Sequence, residues 1–332
     1  MVESSTMTAK GKAAARVWEA ASKLRICEKL ALVYLTYLPV AATFFRLSLT
    51  QGFTMTALNF LTGGVITLLS RFNAEKSRAR LFSPAGAAQR GGSEIAGKSE
   101  FLATVRDWFP AILILVAYRE SGLLLLPDAS HRLDYLFVRW DHALLRSRWV
   151  LGVVDYGSPW VQRYLEFSYS LCYPLVPLGL GALYVLREWP RLAPRTGFDA
   201  ERAIDQFWTT VLGALFTCYA LFPLFPSTPP RTLFHDLPGP AVQPLFRHIN
   251  LWILGQYGIE SSVFPSGHVA AVTAVALSVR AHWPRAGVFF AIAAVSVAVA
   301  TVVGRYHYAA DALAGALIGI AAFLVSSRIH RS

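Results

Sequence analysis

Two short segments carry the residue types of a phosphoryl-transfer site. Phe264-Pro265-Ser266-Gly267-His268 opens one apolar run, and Gly304-Arg305-Tyr306-His307-Tyr308-Ala309-Ala310-Asp311 lies between two others some forty residues later. Together they bring two histidines, an arginine and an aspartate to one membrane surface. His307 and Asp311 are four residues apart at the start of a helix, hence one turn apart on one face. A carboxylate so placed can hold one ring nitrogen protonated and leave the other free. Ser266 and Gly267 precede another helix, whose free backbone N–H groups and positive dipole end suit an anion.

These segments need a scaffold, and the composition supplies a membrane one. Hydrophobic residues make up 55% of the 332-residue chain and charged residues 15%, too apolar for an ordinary soluble domain. Eight apolar-rich stretches of about 16 to 23 residues approach the length that a bilayer core asks of a helix. They run approximately over 30–48, 52–70, 107–126, 164–186, 204–225, 267–281, 286–303 and 309–326. The expected fold is therefore all-α, a polytopic membrane bundle of about eight transmembrane helices. Met1 to Ala14 lack the apolar core and cleavage site of a signal peptide, so the first span is expected to act as an uncleaved insertion signal. Cys172 and Cys218 fall in apolar spans and Cys27 in the polar N-terminal arm, which suggests no disulfide framework.

The expected division is a basic N-terminal arm over 1–29, one membrane catalytic domain over 30–326 and a short tail over 327–332. Within the domain, 71–101 is rich in Lys, Arg, Gly and Ser and reads as a mobile cytoplasmic loop, while 127–163 and 226–265 are outer loops. With the arm, 71–106, 187–203, 280–285 and the tail inside, about 21 of the 31 Lys and Arg fall on the cytoplasmic side. The positive-inside rule thus places both termini in the cytoplasm and the candidate catalytic residues on the outer, periplasmic or lumenal, face. The net charge of +11 is dispersed among loops, which argues against nucleic acid; the expected partners are the bilayer and a membrane lipid substrate.

Both outer loops have character. In the first, Leu133, Leu136, Phe137, Trp140 and Leu144 recur at helical spacing beside Arg139, Asp141 and Arg146. This is the pattern of a helix lying in the headgroup layer, or equally of one that caps the bundle. The second carries Pro229, Pro230, Arg231, His235, Arg247 and His248, and is expected to shape the substrate mouth.

Pro265-Ser266-Gly267-His268 with His307-x-x-x-Asp311 resembles the second and third signatures of the type 2 phosphatidic acid phosphatase superfamily, which also contains the vanadium haloperoxidases. Pro229-Pro230-Arg231 resembles the first. The likeness is strong over the C-terminal third; upstream, Arg106-Asp107-Trp108 and Tyr118-Arg119-Glu120 resemble the membrane branch that contains inositol phosphorylceramide synthases. The resemblance implies a six-helix phosphatase-like core and a role for each residue. His307 would take the phosphoryl group as a phosphohistidine, with Asp311 orienting its ring. His268 would protonate the departing oxygen and later activate the acceptor. Arg231, Arg305, Ser266 and Gly267 would bind the phosphate oxygens. Arg119 is a possible further phosphate ligand, with an internal ion pair to Glu120 as the alternative; His235 is a possible site residue, with an exposed loop position as the alternative.

The chain departs from the common pattern at two cations. A lysine seven residues before the first-signature arginine is replaced by Leu224, and an arginine six before the third-signature histidine by Thr301. Arg305, four residues after Thr301, would lie on the same face if the helix continued. No metal or other cofactor is implied, because the histidines lack zinc-site spacing and no acidic cluster suits magnesium. The expected activity is that of a lipid phosphate phosphatase cleaving a phosphoester or phosphoanhydride. The alternatives are a phosphotransferase moving a phosphorylated headgroup to a second lipid or polyol acceptor, and a lipid transporter.

Overall fold

Apolar runs bounded by Ser, Asp and Pro become helices, and no strand forms among the described residues. The computed structural model describes residues 22–45, 47–82, 92–125, 133–145, 158–193, 198–236, 243–259 and 264–331. In chain order the helices are α1 (Ile26–Ala42), α2 (Leu49–Phe82), α3 (Gly92–Leu123), α4 (Asp134–Leu145), α5 (Pro159–Ser170) and α6 (Leu175–Glu188). They continue with α7 (Ala200–Leu221), α8 (Pro230–Leu233), α9 (Leu245–Tyr257), α10 (Gly267–His282), α11 (Pro284–Val303) and α12 (Ala309–Ile329). Local chemistry sets the boundaries. Asp199 caps α7 by accepting from the Arg202 N–H at 3.1 Å, and Pro159 and Pro284 occupy first-turn positions where no N–H is needed.

Among the described residues, five helical segments are long and apolar enough to cross a membrane: Leu49–Arg71, Glu100–Leu123, Ala200–Leu224, Pro284–Val303 and Ala309–Ile329. The pair α5 and α6, bent by 68°, makes a sixth if it is one broken span. The expected run 164–186 is thus interrupted just before α6, where Pro174 cannot continue a helical hydrogen-bond ladder. The two remaining expected spans are shorter, with 17 residues in α1 and 16 in α10. Phe53, Phe60, Leu115, Phe289 and Val295 are exposed on α2, α3 and α11, a surface that fits an integral membrane protein.

The bundle is organised around α10, which packs against α6, α7, α11 and α12. Small residues allow this. A Cβ on Gly315 would collide with the Ser266 carbonyl, and one on Gly319 would stand 2.7 Å from that of Ala270. The Gly315-x-x-x-Gly319 face of α12 therefore lets two backbones touch, as small residues do between membrane helices. That contact sets the first turn of α10 against the first turn of α12.

The opposite end of the bundle is closed by charge. Arg106 grips both Glu28 oxygens at 2.6 Å, Arg25 pairs with Asp107, and Asp205 accepts from the Ile26 and Cys27 N–H groups at 3.1 and 2.9 Å. Asp205 also lies 3.4 Å from His330 Nε2, so the start of α1 and the end of α12 meet at one end of the bundle.

The described helices run past several of the expected boundaries. The 1–29 arm gives way to helix from Ile26, and Cys27 is in the core at 1% exposure. The 327–332 tail is helical to Ile329, and His330 is buried. Helix also occupies 71–82 and 92–101 of the expected mobile loop, while residues 83–91 lie outside the described residues. The expected loop rested on polar composition, but Lys, Arg, Glu and Ala are also good helix formers. Residues 1–21, 126–132 and 146–157 likewise lie outside the described residues, and with them Arg146.

Candidate active site

Ser266 caps α10, its hydroxyl oxygen accepting from the Val269 N–H at 3.3 Å, while its own N–H donates to the Asp311 carbonyl at 3.0 Å. The two signature segments are thereby joined through backbone. At the start of α12, Asp311 Oδ2 accepts from the Tyr308 N–H at 2.9 Å and lies 3.3 Å from His307 Nδ1. Its other oxygen, Oδ1, is buried without a hydrogen-bond partner among the described residues. With Nδ1 protonated, His307 donates to the carboxylate and keeps a lone pair on Nε2. That nitrogen faces His268, whose Nδ1 is 3.4 Å away. Asp311, His307 and His268 form a line, and aromatic rings wall it in. Tyr169 and Tyr173 stand 5.6 and 5.9 Å from the His268 ring, and Tyr169 stacks on Tyr306 at 3.8 Å.

Arg231 reaches this line from α8. Its N–H donates to the Arg305 carbonyl at 2.9 Å, and its Cζ lies 5.9 Å from the Tyr306 ring centroid. Burial pulls its pKa below the ordinary arginine value, and the Arg247 charge adds to the effect. Among the described residues, neither Arg231 nor Arg305 has a carboxylate within ion-pair distance. The helical continuation that would put Arg305 on the face of Thr301 does not occur. The α11 helix stops at Val303, the Thr301 carbonyl accepts from the Tyr306 and His307 N–H groups at 2.9 and 3.0 Å, and Arg305 takes φ 60°. This left-handed conformation costs a non-glycine residue about 1 kcal/mol. Arg305 is therefore held near Arg231 by a backbone turn rather than by helical periodicity.

The structure thus brings together His268, His307, Asp311, Ser266, Gly267, Arg231 and the Arg305 backbone. Two expected residues make other contacts. Arg119 donates to the Tyr257 carbonyl at 3.3 Å, and no ion pair with Glu120 forms. Adjacent helical residues point about 100° apart, so neighbours in sequence do not face each other. His235 is exposed and sits 3.1 Å from the equally exposed Asp236, outside the site.

Helix α4 proves to be a cap on this end of the bundle. Phe137 is fully buried, stacking on Phe264 and Tyr308 with centroids 4.9 and 5.6 Å away. Asp134 accepts from the Thr228 N–H at 2.6 Å, and Asp141 accepts from the Ala309 N–H at 2.8 Å. Burial raises the Asp141 carboxyl from 3.8 to about 6, although the Ala309 and Ala310 amides pull the other way. A value higher in the folded state means that protonated Asp141 favours the fold. Its contribution is complete below the unfolded pKa and is lost as pH rises through 6. Melting in lipid vesicles between pH 4 and 7 checks this: Asp141→Asn is expected to flatten the fall in midpoint, and parallel curves for the two proteins would refute it.

Sequence reasoning gave no role to Glu166 and placed Arg247 only in the loop expected to shape the substrate mouth; both are buried beside Tyr306. Their signal was charge close to or within apolar runs, where an ionisable group is costly and so informative.

A family model described as the PAP2 superfamily matches residues 136–325, from within α4 to α12, and leaves α1 to α3 outside. No curated protein and no solved structure matches the chain.

Proposed function

The chain belongs to the PAP2 superfamily, whose members are phosphatases or related phosphoryl-transfer enzymes, and from that premise we propose that it is a membrane lipid phosphate phosphatase working through His307. The observation that carries the reading is the line Asp311, His307, His268, with steps of 3.3 and 3.4 Å. The His307 Nε2 lone pair attacks phosphorus, the bond to the leaving oxygen breaks, and His268 gives that oxygen its proton. A water then returns a proton to His268 as its oxygen attacks phosphorus; the P–N bond breaks and His307 recovers its lone pair. Asp311 holds the imidazolium-like ring of the phosphohistidine in orientation throughout.

Arg231, Arg305 and the amides at the Ser266-Gly267 end of α10 surround the developing negative charge, which positioned donors stabilise without reorganising. An in-line phosphoryl group needs roughly 7 Å between the two ring nitrogens, from a near-attack distance of about 3 Å, a P–O bond and a hydrogen bond. The two rings must therefore part when substrate enters. The lysine/arginine distribution puts this end of the bundle on the outer face, with both termini in the cytoplasm.

Purified protein in lipid, given a panel of phosphate-labelled lipids with and without alcohol acceptors, tests the proposal in a single turnover. Release of inorganic phosphate is the expected result. Label appearing in a new lipid only with an acceptor would make it a phosphotransferase. Lipid movement without chemistry would make it a transporter. Turnover is expected to persist in excess chelator and to be inhibited by vanadate, which adopts the five-coordinate geometry of the transition state; loss of activity in chelator would sink the metal-free scheme.

A further inference from the structure

Arg247, on α9, is 6% exposed, which is unusual for an arginine. Its Nη1 alone serves two acceptors, Glu166 Oε1 at 2.9 Å and the Gly304 carbonyl at 2.7 Å. Neither Nε nor Nη2 makes a hydrogen bond among the described residues, and Nε is closed off from solvent. The contrast with Arg106 is informative. Arg106 uses its Nε and Nη2 as a fork on the two oxygens of Glu28, both at 2.6 Å. Arginine–carboxylate pairs frequently take that bidentate arrangement. Arg247 instead anchors by one nitrogen and keeps the fork uncommitted.

Of the two guanidiniums beside Tyr306, one has a carboxylate partner and the other has none among the described residues. Arg247 Cζ lies 4.9 Å and Arg231 Cζ 5.9 Å from the centroid of the same Tyr306 ring, and each charge acts on the other. Glu166 is the one carboxylate bonded to either guanidinium among the described residues, and it also accepts from the Tyr306 hydroxyl at 2.7 Å and from Asn250 at 3.2 Å. Glu166 pairs with Arg247 and Asp311 with His307, so among the described residues Arg231 is left without a carboxylate partner in a place poor in water, which is costly until an anion arrives. The positions where the common pattern has cations do not supply this charge. Thr301 is fully buried with its hydroxyl donated to the Ala298 carbonyl, and Leu224 is 59% exposed. Arg247, by contrast, is tied through Gly304 to the turn that carries Arg305, Tyr306 and His307.

We propose that Arg247 is a phosphate-binding residue, its Nε–Nη2 fork joining Arg231 in holding the anionic oxygens of the lipid phosphate presented to His307. Glu166 is the residue that positions it. This assignment rests on the reading of His307 and His268 as the phosphoryl-transfer centre. It commits to a phosphate dianion or diphosphate as ligand and needs a guanidinium, because an ammonium has no fork.

The test measures binding of inorganic phosphate and of vanadate by titration calorimetry, with turnover measured in parallel, for wild type, Arg247→Gln, Arg247→Lys and Arg247→Ala. Both anions are expected to bind on the order of 10- to 100-fold more weakly in all three variants, with KM for lipid phosphate rising in step. Added guanidinium ion is expected to restore part of the loss in Arg247→Ala. A merely structural arginine predicts lowered melting temperature with anion affinity unchanged in whatever fraction folds, and that result would overturn the proposal. Should Arg247→Gln and Arg247→Ala fail to fold, Arg247→Lys decides alone, since it keeps the charge and loses only the fork. Anion binding that depends on Arg247 without His307-dependent turnover would retain this subsite and sink the catalytic reading instead.

Discussion

His307→Ala is expected to reduce single-turnover phosphate release by on the order of 10⁴-fold or more, the largest effect of any single substitution in this chain. The size follows from the part assigned to the ring. Without Nε2 there is no covalent step, and a direct attack by water would have to use a site arranged around an imidazole. The intermediate gives a second readout, because a P–N bond is labile in acid and stable in alkali, unlike a phosphoester. Quenched wild-type protein should carry acid-labile label, and His307→Ala none. Label on another residue, or full turnover in the variant, would end the scheme. Asp311→Asn is expected to fall between the two proteins, since an amide can face Nδ1 with its N–H and so favour the wrong tautomer.

His268→Ala is expected to cost about 10² to 10⁴ in kcat, the usual worth of a positioned general acid. Here the loss should depend on the leaving group. A lipid alkoxide needs the proton, whereas p-nitrophenolate leaves without help. The ratio of wild-type to variant kcat should therefore be large for the lipid phosphate and at least about tenfold smaller for p-nitrophenyl phosphate. Equal losses on both substrates would mean that His268 only packs against His307. Their 3.4 Å contact makes that outcome conceivable and the leaving-group comparison necessary.

Much of this site was legible because its parts are local. A histidine and aspartate four apart, a serine before glycine at a helix start, and a proline-rich end to an apolar run each describe one turn of backbone, and the structure closes the last His/Asp contact at 3.3 Å. The upstream segments were less legible for the same reason. Arg119 and Glu120 are neighbours in sequence and do not pair, while Arg106 and Asp107 are held by Glu28 and Arg25. The structure places that charged cluster at the end of the bundle remote from His307, where α1, α3 and α7 begin or pass. Its chemistry is that of a clamp on the helix ends.

The sequence by itself determined the membrane class, the all-helical architecture and the segments that mark the superfamily, because hydropathy, capping and i to i+4 spacing act over a few residues. Only the tertiary structure decided how the arginine-bearing segments reach His268 and His307. Arg305 enters through a left-handed turn at φ 60°, and Arg247 arrives from α9 on a bond to Gly304 fifty-seven residues away. Such partnerships depend on how far each helix is rotated and how deeply it sits against its neighbours. Those quantities are set by close contacts such as Gly315 against Ser266, which no local pattern encodes.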